Sequence, residues 1–93
     1  MDLEFEWDEK KAALNKGKHG VTFEEAATVF GDFLAAIFDD ETHSADEQRK
    51  VIIGHSSSDR ILLVSFTERD DRIRIISARR ASKQERLSHE ENR

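Results

Sequence analysis

Arg69, Arg72, Arg74, Arg79 and Arg80 fall within one short stretch, with Glu68 at its head. Arginine carries a planar fork that grips a phosphate bidentately and keeps its charge at any physiological pH. A carboxylate beside such a cluster offers either a base or an anchor for one of the arginines. Together these residue types point to phosphate chemistry, and RNA is the phosphate ester considered first. The run Arg72-Ile73-Arg74-Ile75-Ile76 alternates with a period of two. It predicts a strand with Arg72 and Arg74 on one face and Ile73 and Ile75 on the other. Arg79 and Arg80 leave the strand end in opposite directions, so one of the two points into the same site.

The bulk composition frames that cluster. Ninety-three residues, 37% apolar and 38% charged, predict one thinly cored domain with a heavily solvated surface. No apolar run is long enough for a membrane helix. The acidic start, Met-Asp-Leu-Glu-Phe-Glu-Trp, argues against a secretory signal, and the chain fits the cytosol. Without cysteine there is neither a disulfide framework nor a thiolate metal site. The net charge of −5 conceals a split. Residues 1–47 carry thirteen Asp/Glu against four Lys, and residues 48–93 carry eleven Lys/Arg against seven Asp/Glu. A basic region on an acidic body can still hold RNA.

Secondary structure must position these groups. Phe5-Glu6-Trp7 reads as a short strand or extended lead-in, with Phe5 and Trp7 on one face. Asp8 caps a helix through Asn15 that Gly17 can end. Thr22-Phe23-Glu24-Glu25 is a capping box, and Phe23, Ala26, Ala27 and Phe30 form one apolar helical stripe closed by Gly31. Residues 33–38 read as a strand, and 39–48 as an acidic loop. Residues 49–55, 60–67 and 72–78 are three further strands joined by polar turns at 56–59 and 68–71, a spacing that predicts an antiparallel meander. Ser82-Lys83-Gln84-Glu85 is a second capping box, opening a helix to about Glu91 whose one sizeable apolar residue is Leu87. The predicted fold is α+β: two N-terminal helices packed on a four-stranded antiparallel β-meander, plus a C-terminal helix.

In this order the residues resemble a known family. Phe5-Glu6-Trp7-Asp8, Lys18-His19-Gly20-Val21, Phe23-Glu24-Glu25-Ala26, Phe38-Asp39-Asp40, Arg49, Ile52-Ile53-Gly54 and Thr67-Glu68-Arg69 carry the likeness. Its most specific part is Arg72-Ile73-Arg74-Ile75-Ile76-Ser77-Ala78-Arg79. The chain is similar to the BrnT toxins, type II toxin–antitoxin ribonucleases with a RelE-like fold, over nearly its whole length. The family pattern usually has Tyr before the C-terminal Glu-Glu, where this chain has His89 before Glu90-Glu91.

The resemblance implies an endoribonuclease that needs no metal or cofactor. The ribose 2′-OH would attack the adjacent phosphorus, leaving a 2′,3′-cyclic phosphate and a 5′-OH. It also implies a ribbon-helix-helix antitoxin in a two-plus-two complex, which alone would bring DNA contact. The step needs a base, positive charge on the phosphate and an acid. Glu68, Arg74, Arg79 and His89 are the catalytic candidates, and Lys18, Arg69, Arg72, Arg80 and Lys83 the phosphate contacts.

Each has a plainer reading. Strand arginines also discourage edge pairing. Glu68 can orient Arg69 or Arg74 instead of moving a proton, and His89 can stack on a base or stand solvated. His19 can cap carbonyls at its helix end. Asp39, Asp40, Glu41, His43, Asp46 and Glu47 lack any metal-ligand spacing and read as a solvated loop. A non-catalytic module binding RNA or an acidic partner is the alternative, and a metal-dependent hydrolase comes third.

Overall fold

In the computed structural model, which describes residues 3–43 and 47–91, the first helix starts at its sequence signal. The Asp8 carboxylate accepts from the amides of Lys10 and Lys11 at 2.8 and 3.1 Å. The Lys11 amide foremost holds its pKa below the usual value. Helix α1 spans Glu9–His19 and passes straight through Gly17. Gly20 ends it instead, at φ +68°, with its amide donating to the Lys16 carbonyl at 2.9 Å. A helical Gly costs about 1 kcal/mol but does not break the helix. The stop falls where the chain must turn left-handed to bring Val21 under Asn15.

Helix α2, Phe23–Thr28, continues as a 3₁₀ turn over Val29–Gly31. The Glu25 amide donates to Thr22 Oγ1 at 3.0 Å, but the Glu25 carboxylate does not return to the cap. It takes Arg60 and the Ser56 hydroxyl, the latter at 2.7 Å, because a guanidinium fork outcompetes one backbone amide. The arginine depresses the Glu25 pKa.

Five strands form one mixed sheet in the order β1-β5-β4-β3-β2. Strands β2 (Ala36–Asp40), β3 (Arg49–His55), β4 (Ile61–Arg69) and β5 (Arg72–Arg80) are the expected antiparallel meander. The expectation of four strands is corrected by β1, Phe5–Glu6, which lies parallel to β5 with Phe5 opposite Ile73 and Glu6 opposite Arg74. A two-residue lead-in pairs here because β5 otherwise ends the sheet with unpaired groups.

The β2 strand begins later than expected. Asp32 accepts from the amides of Leu34 and His55 at 3.0 and 2.7 Å, folding residues 32–35 into a turn that leaves Phe33 fully exposed. That turn presses on Gly54, where a Cβ would stand 2.8 Å from the Ala35 Cβ. The β4–β5 turn is shorter than expected. It is Asp70-Asp71, both at positive φ, the two-residue hairpin geometry that keeps Glu68 and Arg69 in the strand.

Both N-terminal helices cover one face of the sheet, burying Val21, Phe23 and Val29 against Leu62, Val64, Phe66 and Ile75. Phe30 packs edge-on to Phe5 and Phe66. Asn15 is the polar exception. Its Nδ2 donates to the Val21 and Ala78 carbonyls at 3.0 and 2.8 Å, and its Oδ1 accepts the Ala78 amide at 3.0 Å. A side chain thus completes the ladder edge that β1 is too short to reach.

Helix α3, Lys83–Glu91, lies on the opposite face. Its capping box closes in both directions, the Ser82 amide donating to Glu85 at 2.8 Å and the Glu85 amide to Ser82 Oγ at 3.2 Å. It docks through His89, which is buried, while Leu87 remains about half exposed. Asp46, from the acidic stretch, lies outside the described residues.

Candidate active site

The sheet face that carries α3 is built from cross-strand rows. One row runs across all five strands: Asp40, Arg49, Thr67, Arg74 and Glu6 are successive neighbours. Arg49 and Arg74 flank the buried Thr67, whose hydroxyl donates to the Gln48 carbonyl at 2.8 Å. With strands about 4.8 Å apart, the two arginines rise from the sheet roughly 10 Å from each other. Arg69 and Arg72 form the neighbouring row at the hairpin end. At the far end of the face, Arg79 lies opposite Leu63, which lies opposite Ile53.

A β-bulge decides which end-of-strand arginine joins this face. Ser65 pairs with Ser77 but Phe66 pairs with Ile75, so Ile76 is an extra residue in β5. An added residue reverses the alternation beyond it. Strict alternation from Arg72 and Arg74 would continue to Arg80. The bulge substitutes Arg79 and turns Arg80 to the helix-covered side.

Carboxylates hold Arg69, Arg72, Arg74 and Arg79. Arg74 Nη1 donates to Glu6 at 2.9 Å and Arg69 Nη2 to Glu47 at 2.8 Å. Arg72 Nε is 3.3 Å from Glu4. Arg79 makes the tightest arrangement, a parallel fork to both Glu85 oxygens at 2.8 and 2.9 Å. That fork drives the Glu85 pKa from 4.5 down to about 2.

The remaining candidates are scattered. Alternation puts Glu68 on the other face, where it meets Lys50 Nζ at 3.1 Å, so the structure does not bring it to Arg69 or Arg74. Lys18 is exposed in the last turn of α1, on the layer opposite the arginine rows. Lys83 is exposed at the first turn of α3. Arg49 was legible only as part of the family likeness; the pairing register alone brings it beside Arg74.

Between α3 and the sheet lies a cavity of about 550 Å³. Phe38, Val51, Ile53 and Leu63 form its floor, and Glu85 and His89 its helical wall. Glu85 and His89 are four residues apart and so share one face of the helix. His89 is only 6% exposed, and its Nε2 has no hydrogen-bond partner among the described residues. A buried polar atom of that kind calls for an explanation. The face therefore joins a row of arginines to a partly apolar cavity, with a bidentate Arg79–Glu85 pair and an imidazole at its helical wall.

Residues 7–85 match the family model described as the ribonuclease toxin, BrnT, of type II toxin–antitoxin systems. The match takes in the arginine strand and stops before His89. Among solved structures, the chain is similar to the crystal structure of the Brucella abortus ribonuclease toxin BrnT, with a TM-score of 0.69 and 28% identity. That likeness covers 88% of this chain and 100% of the other. A comparison with curated protein sequences gives no match.

Proposed function

The chain belongs to the BrnT family of ribonuclease toxins of type II toxin–antitoxin systems, and we propose that it cuts RNA on the α3-bearing face of its sheet. The observation that carries this reading is the bulge at Ile76, which turns Arg79 onto the face of Arg72 and Arg74. In this proposal one backbone phosphate lies at Arg74 and Arg49, and the scissile phosphate lies further along the strand at Arg79, which stabilises the charge that builds on its free oxygens. The 2′-OH attacks phosphorus, the P–O5′ bond breaks, and the products are a 2′,3′-cyclic phosphate and a 5′-OH. Phosphate arriving at Arg79 displaces Glu85. The freed carboxylate accepts the 2′-OH proton, and His89, one turn on, supplies the proton to the 5′ oxygen. Proton transfer and charge stabilisation are all this reaction requires, so cleavage is expected to persist in a chelator. Glu68 takes no part from its side of the sheet.

An antitoxin is the partner expected of this family, and its ribbon-helix-helix form and two-plus-two assembly follow from the resemblance. The edge strand β2 and the turn before it expose Phe33, Leu34, Ile37 and Phe38. An apolar strip on an open sheet edge suits such a partner.

One observation favours a second reading, a module that binds RNA without cutting it: Glu85, the base of the proposed reaction, is held through both oxygens by Arg79. Incubating the protein with an RNA oligonucleotide and analysing the new termini separates the two. The nuclease yields cyclic phosphate ends, and Arg74→Ala with Arg79→Ala lowers the rate at least ~10²–10³-fold, the usual loss for one such donor. Salt-sensitive binding with intact RNA sinks cleavage and leaves the module.

A further inference from the structure

The arginine turned away by the bulge has a setting of its own. Arg80 lines a polar cleft of about 390 Å³ together with His55, Arg60 and Arg86, between the β3–β4 turn and the start of α3. Among the described residues, Asp59 is the one carboxylate on its wall. Arg60 is fixed in place by Glu25, with Nε at 2.9 Å, and by the Gly20 carbonyl at 3.2 Å. His55 Nδ1 stands 3.5 Å from Asp32. Arg80 and Arg86, both exposed, make no ion pair or side-chain hydrogen bond among the described residues. On the α3-bearing face the arginines of β4 and β5 are matched by carboxylates in direct contact; in this cleft Arg86 has none among the described residues, and Arg80 has only the longer-range field of Glu25, whose oxygens Arg60 and Ser56 already hold. Two guanidinium groups sharing one cleft repel each other, and an anion between them removes the repulsion and accepts their charge-assisted hydrogen bonds.

We infer that this cleft binds a backbone phosphate of the RNA, as a second grip outside the site of cleavage. The inference rests on the RNA reading above. Arg79 and Arg80 are consecutive and point to opposite sides, so RNA held at Arg79 need only cross the Ala81-Ser82 link to reach the cleft. The cleavage face alone then recognises a dinucleotide, and the cleft rewards a longer strand.

The test is fluorescence anisotropy with a 2′-O-methyl 12-mer and a 2′-O-methyl dinucleotide, neither of which can be cut, over a range of salt. Arg80→Ala with Arg86→Ala is expected to weaken 12-mer binding about tenfold, with a clearly smaller loss for the dinucleotide. The slope of log affinity against log salt should become shallower by about 0.7 for each lost phosphate contact. Replacing both by lysine should keep the slope, since it keeps the charge. An unchanged 12-mer affinity in the alanine variant, with wild-type binding intact, overturns the cleft and leaves the nuclease standing. Failure of the wild type to bind either RNA overturns both. Lost affinity for a poly-glutamate peptide with 12-mer binding retained assigns the cleft to an acidic protein segment and overturns the inference.

Discussion

Helices α1 and α3 each press one polar side chain against the sheet, from opposite sides, and the two are buried to the same degree. Asn15 is 7% exposed and His89 6%. Their hydrogen-bond accounts differ completely. Asn15 donates twice and accepts once, tying Val21 and both backbone groups of Ala78. His89 keeps an Nε2 with no partner among the described residues, beside a cavity and one turn from the Arg79–Glu85 fork. A satisfied buried amide explains itself as architecture, since it replaces a missing strand edge. An orphaned imidazole nitrogen costs stability where it stands, and that cost is what supports the role proposed for His89.

Cutting the architectural side should have the largest effect. Asn15→Ala leaves the Val21 and Ala78 carbonyls and the Ala78 amide without their partner in a dry interior. At about 1–3 kcal/mol for each buried unsatisfied group, with partial relaxation, we expect a loss of about 3–4 kcal/mol. The midpoint of urea unfolding measures it. A loss under 1 kcal/mol would mean that β5 finds other partners and that the contrast with His89 is empty.

On the other side of the sheet, stability and activity should separate. His89→Phe retains the packing volume and removes the unpartnered nitrogen, so thermal stability should hold or rise slightly. RNA cleavage should fall about 10²-fold, the lower end for a general acid. A drop in melting temperature with cleavage intact would make His89 a core residue like any other and break the comparison.

The same contrast marks how far the sequence could be read. Both capping positions, the helical stripe from Phe23 to Phe30 and the four-strand meander are local patterns, and the chain displays them openly. The two glycines near the end of α1 were locally equivalent stops; Asn15, reaching across to Ala78, selects Gly20. Pairing of β1 with β5 joins segments far apart in sequence, and no local pattern announces it. The site depended most on such remote information. A single bulged residue exchanges Arg80 for Arg79, strand parity sends Glu68 to Lys50, and register alone brings Arg49 to Arg74. Residue types named the chemistry, while the sheet chose which of them share a face.

The smallest effect tests the link between His89's helix and the arginine strand. Glu85 has a folded pKa of about 2 against an ordinary 4.5, because the Arg79 fork favours its charged form. A depressed carboxylate contributes stability that is fully present above pH 4.5 and is lost as pH falls from there through 2. Glu85→Gln should therefore be less stable than wild type at pH 7, by no more than about 1 kcal/mol for so exposed a pair. The deficit should shrink as the pH falls toward 2, where the wild type loses the same contribution. Glu25 is also held low, by Arg60, and continues to supply acid sensitivity in the variant, so only the difference between the two melting curves is diagnostic. Asn15→Ala, which alters no charge, should keep the wild-type acid dependence at its lower overall stability. A Glu85→Gln deficit that is constant from pH 7 to pH 2 would show that the charge of the carboxylate adds nothing to stability, and that α3 and its histidine are held against the sheet without help from the Arg79 ion pair.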